Sequence, residues 1–223
     1  MNNLHLMDDF AGQTVAITGG AGILGGAMAF ALAEHHAKVA IIDRAPTLAE
    51  LLLKRIQSMG GEAFVVEGDV CEAVVFQKAV DAVIAKYGKI DCLINGAGGN
   101  NPKATTNPEL SFFQLPTEAI EFVMRLNIVG TILPSQIVGR HMAERKEGVI
   151  LNISSMNAFR PLTRIPAYSA AKAAVSNFTQ WLAVHMAQEY SPAIRVNAIA
   201  PGFFLTEQNR FLLTDMAMMA TFA

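Results

Sequence analysis

A chain of 223 residues, 52% of them hydrophobic, is long enough for one large α/β domain with a substantial core. Its formal net charge of −2 gives no electrostatic case for nucleic acid, and no apolar run approaches the roughly 18–20 residues of a membrane span. The opening Met1-Asn2-Asn3-Leu4-His5 lacks the basic and apolar regions of a signal peptide, and Cys71 and Cys92 read as free thiols in a reducing compartment, so a cytoplasmic protein is expected. The histidines show no metal-ligand spacing, and no metal site is expected.

In chain order, Thr14-Val15-Ala16-Ile17-Thr18 reads as a buried strand. A glycine run follows, from Gly19 through Gly22, Ile23 and Leu24 to Gly25, and opens a helix over 23–36. Gly20-x-Gly22-x-x-Gly25 between a strand and a helix fits a dinucleotide fingerprint, because bare backbone lets a pyrophosphate approach the helix-terminal N–H groups. The second strand, 38–43, ends at Asp43, about 20 residues on, where a carboxylate accepts from the adenosine ribose hydroxyls. That carboxylate repels a 2′-phosphate and favours NAD over NADP, while the neighbouring Arg44 can pair with such a phosphate. A helix over 46–59, a strand over 62–66 and a helix over 72–87 come next, with Asp69 and Val70 placed to meet the adenine. After a strand over 90–95, Asn95-Gly96-Ala97-Gly98 brings bare backbone to the cofactor. A polar loop over 98–111 precedes a helix over 117–145, in which the mid-helix Asn127 hints at a polar task.

Val149-Ile150-Leu151-Asn152-Ile153 reads as a central strand, and an Ala-rich helix covers about 167–190. Tyr168 and Lys172, at i and i+4, project from one face near the start of that helix, within reach of Ser155 at the strand's end. A free phenol has a pKa near 10. An ammonium one turn away favours the phenolate, and a bound nicotinamide's positive charge pushes the same way. A shift of about two to three units, about 3–4 kcal/mol, is within what a partly desolvated charge pair supplies. Tyr168 then exchanges a proton with a carbonyl or alcohol, Ser155 holds the substrate oxygen, and Lys172 also reaches a cofactor ribose. A last strand over 194–200 leads to Pro201, Gly202 and Thr206, placed against a nicotinamide amide. The β-α-β-α order predicts a single α/β domain over 1–223, a doubly wound parallel sheet (Rossmann fold) with helices on both faces.

Together these motifs resemble the short-chain dehydrogenase/reductase family over about residues 10–213. The matches are Thr18, Gly19 and Gly25 in the glycine motif, then Asn95, Ala97 and Gly98, Asn127, Ser155 rather than Ser154, Tyr168 with Lys172, and Pro201, Gly202 and Thr206. Departures are Ile23 where most members have glycine, and Gly96 for a common second asparagine. The resemblance implies an NAD(P)-dependent oxidoreductase in which Asn127 frees its backbone carbonyl for a water in a proton relay. It also implies a homo-oligomer, dimer or tetramer, pairing through the helices over 117–145 and 167–190. Members usually continue to a seventh strand, which this chain, ending at Ala223, is expected to lack.

The stretches 95–102 and 200–209 resemble the family's D-mannonate oxidoreductase (fructuronate reductase) branch, which implies reduction of the sugar acid D-fructuronate to D-mannonate. A sugar acid needs hydroxyl partners, for which Asn100, Asn101, Asn157 and Gln208 are candidates, and a cation for its carboxylate, for which Arg160, Arg164 and Lys103 are candidates. The alternatives are another polyol, sugar acid or 3-oxoacyl substrate, or a dinucleotide-binding module impaired by its short C-terminus.

Overall fold

The computed structural model describes residues 10–202. Six apolar runs form β1 (Thr14–Thr18), β2 (Lys38–Asp43), β3 (Glu62–Glu67), β4 (Cys92–Asn95), β5 (Gly148–Ile153) and β6 (Ile194–Ile199). They pair in the order β3-β2-β1-β4-β5-β6, with every neighbouring pair parallel. Successive residues of one strand are buried on opposite faces, which is why the strands read as continuous apolar runs rather than alternating ones. Val15, Ile17, Val39 and Ile41 pack under helices α1 (Ile23–Glu34) and α2 (Glu50–Ser58). Ala16, Ala40, Leu93 and Ile150 pack against α3 (Ala73–Tyr87), α5 (Gly130–Arg145) and α6 (Pro166–Glu189). Each fully buried isoleucine, such as Ile17 or Ile41, contributes about 1.5–3 kcal/mol.

The predicted elements hold with two corrections. The helix expected over 46–59 begins as a 3-10 turn, Pro46–Ala49, before α2. The helix expected over 117–145 is three pieces: α4 (Thr117–Met124), a π turn (Arg125–Val129) and α5. An added residue in the turn swings Asn127 inward, and its amide takes backbone partners outside the helix. By length and composition Thr117–Arg145 could cross a membrane. Here Val123, Val138 and Met142 are buried in the protein's own core.

At the strands' C-terminal ends the chain leaves β1 to one side and β4 to the other, so the crevice between them is the topological switch point. Thr206 and Gln208, and the stretch that bears on the expected lack of a seventh strand, lie outside the described residues.

Candidate active site

The glycine run forms a tight turn across this crevice. Gly19 has φ +64°, a left-handed conformation that glycine adopts without strain, and its N–H donates to the Ile42 carbonyl at 2.9 Å. A Cβ on Gly19 would lie 2.8 Å from Ala97 Cα, so the two glycine-bearing loops pack backbone to backbone. Thr18 clamps them: its Oγ1 accepts from the N–H groups of Gly96 at 3.1 Å and Ala97 at 3.2 Å. Gly22 is the N-cap of α1 and offers no side-chain acceptor, and no acid occupies the first turn. The N–H groups at Ile23, Leu24 and Gly25 thus open the helix without a side-chain anion, which suits a pyrophosphate.

Gly25 shows how closely this cradle is built. A Cβ there would press on the Gly19 carbonyl oxygen and lie 2.9 Å from Gly20 Cα, and neither backbone atom can swing aside. Gly25→Ala is expected to lower stability by about 1–3 kcal/mol and to weaken NADH binding about tenfold or more. Thermal denaturation and NADH fluorescence titration check this, and unchanged values in both would refute the cradle.

Asp43 ends β2 beside the cradle. Its carboxylate accepts from Ala21 N–H at 3.1 Å and Ala45 N–H at 3.0 Å, so it also ties the glycine turn to the strand. Each oxygen keeps a further lone pair for a ribose hydroxyl. Arg44 is exposed. Asp69 accepts from Cys71 N–H at 2.8 Å, and the buried Val70 packs against Gly130, where a Cβ would lie 2.8 Å from its Cγ2. The glycine turn, Asp43, Asp69 and Val70 thus lie at the C-terminal ends of β1, β2 and β3, and their bare backbone and acceptors fit the group.

The second half of the site sits where β5 meets α6. Pro166 occupies the first turn of α6 and sets Tyr168 and Lys172 near its start. Ser154 and Ser155, adjacent in sequence, divide the work. Ser154 Oγ lies 2.6 Å from Ser176 Oγ and donates to the Lys172 carbonyl at 3.2 Å, bracing α6. The Ser155 hydroxyl stands close enough to the Tyr168 phenol to favour its charged form, and its Oγ accepts from Asn157 N–H at 3.2 Å. Lys172 is buried, its Nζ donating to the Ile153 carbonyl at 2.7 Å and lying 5.6 Å from the Tyr168 ring centroid.

The electrostatics correct one expectation. Burial pushes the Tyr168 phenol above its ordinary value, and the neighbouring Ser155 hydroxyl pulls it only part of the way back. Lys172 does not offset this on titration, because burial lowers it from 10.5 to about 8 and it has lost its charge before the phenol ionises. The resting pair at neutral pH is therefore a protonated phenol beside a buried ammonium. That is the form a proton donor requires.

Asn127 differs in detail from what the resemblance implies. Its backbone carbonyl accepts from Thr131 Oγ1 at 2.8 Å, which occupies one of the two lone pairs otherwise free for a water. Its side chain clamps the loop after β4, donating to the Gly99 carbonyl at 2.7 Å and accepting from Gly99 N–H at 3.2 Å. Gly98 lies between the two groups: a Cβ there would be 2.7 Å from Asn127 Oδ1 and 3.2 Å from Lys172 Nζ. Its lack of a side chain lets loop, asparagine and lysine converge.

The remaining candidates divide. Asn157 is buried with no partner for its Oδ1 among the described residues, and Asn100 donates to Thr105 Oγ1 at 2.8 Å while its buried Oδ1 is likewise unpartnered. Asn101 Oδ1 caps its own 3-10 turn by accepting from Lys103 N–H at 2.9 Å, which leaves its Nδ2 for a ligand. Arg160, Arg164 and Lys103 are exposed, and the Arg164 carbonyl accepts from Thr106 N–H at 2.8 Å, joining the loops after β4 and β5. The Pro201 carbonyl accepts from Met156 N–H at 3.0 Å, and Gly202 follows at the end of the described chain. Sequence reasoning missed the clamp made by Thr18 and the polar contacts behind Asn127. Thr131 and Ser135 at i+4 and i+8 from that asparagine were the available signal.

The chain is similar in sequence and fold to known proteins. The short chain dehydrogenase family matches residues 13–217. An uncharacterised oxidoreductase of Bacillus subtilis (strain 168) is 44% identical over 220 residues, covering 95% of this chain and 78% of the relative. The 5-keto-D-gluconate 5-reductase of Escherichia coli (strain K12) is 33% identical over 220 residues, covering 99% and 82%. Among solved structures, a candidate D-mannonate oxidoreductase from Haemophilus influenzae with bound NAD is 42% identical with a TM-score of 0.87, over 96% of this chain and 79% of its own.

Proposed function

The chain belongs to the short chain dehydrogenase family, and from that premise we propose that it is an NAD-dependent reductase of a sugar acid, converting D-fructuronate to D-mannonate. The observation that carries the reading is the convergence of Ser155, Tyr168 and Lys172 beside the dinucleotide cradle. NADH, when bound, supplies a hydride to the substrate carbonyl carbon. The Tyr168 phenol gives its proton to the carbonyl oxygen, which becomes the alcohol. The Ser155 hydroxyl donates to the same oxygen as negative charge develops on it. Lys172, charged at neutral pH, holds a cofactor ribose and stabilises the phenolate that Tyr168 becomes.

Two observations support the substrate class. The neighbour with bound NAD carries the name of a D-mannonate enzyme, and the 5-keto-D-gluconate 5-reductase relative also acts on a six-carbon sugar acid. The unpartnered amide oxygens of Asn100 and Asn157 are acceptors suited to a polyhydroxylated ligand, while exposed Arg160 and Arg164 are the nearby cations for its carboxylate. Steady-state kinetics on D-fructuronate, 5-keto-D-gluconate and a 3-oxoacyl thioester test the reading. The highest kcat/KM is expected with D-fructuronate; a preference for the thioester would overturn the sugar-acid assignment.

The cofactor preference has its own test. Asp43→Ser removes the charge that repels a 2′-phosphate while Arg44 stays, and is expected to raise the NADPH-to-NADH ratio of kcat/KM about tenfold or more. An unchanged ratio would show that Asp43 does not set the preference. A homo-oligomer is part of the same proposal. Trp181 and Val184 on α6 are more than half exposed, and Trp181 stacks on His185 at 4.8 Å, an apolar face open to a second copy. Light scattering that gives a monomer mass would count against it.

A further inference from the structure

The core between α5, α6 and the sheet changes character towards the active site. Away from the site it is apolar: Val138 and Met142 on α5, Leu182 and Met186 on α6, Leu93 on β4 and Ile150 on β5. One step nearer, the positions on the same faces are polar and still buried: Thr131 and Ser135 on α5, Thr179 on α6, Asn95 on β4 and Asn152 on β5. Asn95 and Asn152 are register partners across the two strands.

These side chains form one continuous run of hydrogen bonds. Thr131 Oγ1 donates to the Asn127 carbonyl at 2.8 Å, and Ser135 Oγ donates to the Thr131 carbonyl at 2.7 Å. Asn95 Nδ2 spends its two protons on Ser135 Oγ at 2.9 Å and Asn152 Oδ1 at 2.8 Å. Asn152 Nδ2 donates to Thr179 Oγ1 at 2.9 Å, and that hydroxyl donates to the Val175 carbonyl at 2.8 Å. The run begins at the turn that carries Asn127. It ends on α6 seven residues beyond Lys172, on the same buried side of the helix.

Apolar side chains of similar volume would fill this layer without desolvating any polar group. What hydrogen bonds add is direction: they fix the axial position of each helix against its strand, where apolar packing tolerates sliding. We infer that Ser135, Asn152 and Thr179 are positioning residues for the reaction. With Thr131 and Asn95 they form a brace that fixes the turn of Asn127 relative to the helix of Tyr168 and Lys172. The inference rests on the catalytic reading of Tyr168 and Lys172 but not on the identity of the substrate.

The test uses Ser135→Ala, Thr179→Val and the double variant, with Leu182→Ala as an apolar control in the same layer of helices. Thr179→Val keeps the side-chain volume and removes only the hydroxyl. Each brace variant is expected to lower kcat about 5–20-fold on whichever carbonyl the wild type reduces, with NADH affinity within about twofold and Tm down by only a few degrees, since Asn95 or Asn152 Nδ2 loses one acceptor. The double variant should lose little more than the larger single loss, because the brace acts as a unit although Ser135 and Thr179 share no bond. Leu182→Ala should lower Tm and leave kcat near wild type. Amide hydrogen exchange across 125–131 supplies a readout free of any substrate, and should quicken in both brace variants but not in the control. Unchanged kcat and exchange in Thr179→Val would overturn the inference, as would losses that merely track Tm across all the variants. A wild type that reduces no carbonyl would defeat the catalytic reading by itself, and the exchange data would still decide whether the brace holds the turn.

Discussion

Replacing Tyr168 by phenylalanine is expected to lower kcat about 10²–10⁴-fold, the range for loss of a positioned general acid, while NADH affinity stays within about twofold. The aromatic ring is retained, so its packing against Ala104, Ala119 and Val123 persists. Only the hydroxyl and its polar contact with Ser155 are lost. A variant that folds, binds cofactor and fails at the chemical step separates a proton donor from a packed ring. A kcat within threefold of wild type would remove Tyr168 from the mechanism. The raised phenol pKa makes the comparison clean, since the group is protonated throughout the neutral range in the free enzyme.

Lys172→Met is expected to lower kcat about 10²-fold or more, and also to change how stability depends on pH. In the folded chain burial lowers the lysine from 10.5 to about 8. Between those two values the unfolded state holds the proton more often than the folded state, so stability rises with pH through that window. Below about pH 8 the full penalty of burying the ammonium is present; it is relieved as pH rises, by about 3 kcal/mol in all. Cys92 and Tyr87, both pushed up to about 12 by burial, act in the opposite sense at higher pH, so the diagnostic quantity is the difference between wild type and variant. That difference should move in favour of wild type by about 2.5 kcal/mol between pH 7 and pH 10 in denaturant titrations of the cofactor-free protein. The variant also leaves the Ile153 carbonyl unpaired, but that offset does not vary with pH and leaves the slope intact. A flat difference would show that Lys172 is not buried as a charge.

Much of this architecture is written in local pattern. The strands were legible because a sheet covered on both faces demands continuous apolar runs such as Val39-Ala40-Ile41-Ile42. The glycine turn was legible because its neighbours leave no room for a Cβ at Gly19 or Gly25. Ser155 was distinguishable from Ser154 by spacing to Tyr168, and the structure gives Ser154 a separate role against Ser176. Other features depend on contacts that spacing does not encode. The π turn at Arg125–Val129 interrupts a sequence whose periodicity reads as one helix, because the energy favouring it comes from Asn127 bonding to Gly99, 28 residues away. The direction of the Tyr168 shift was hidden for a related reason: helical spacing shows that a lysine is near, but not how much water both groups lose on folding. The brace from Thr131 to Thr179 joins four elements, and pairing along it becomes visible only once β4 and β5 are in register.

The most direct test of hydride transfer to a sugar acid is to trace the hydrogen. NADH deuterated at the transferable position is incubated with D-fructuronate and the protein, with Tyr168→Phe alongside, and the product is read by NMR and mass spectrometry. The account predicts D-mannonate carrying one deuterium, at C5, from the wild type, and almost none from the variant. Undeuterated product, or no product from wild type that still binds NADH, would contradict it.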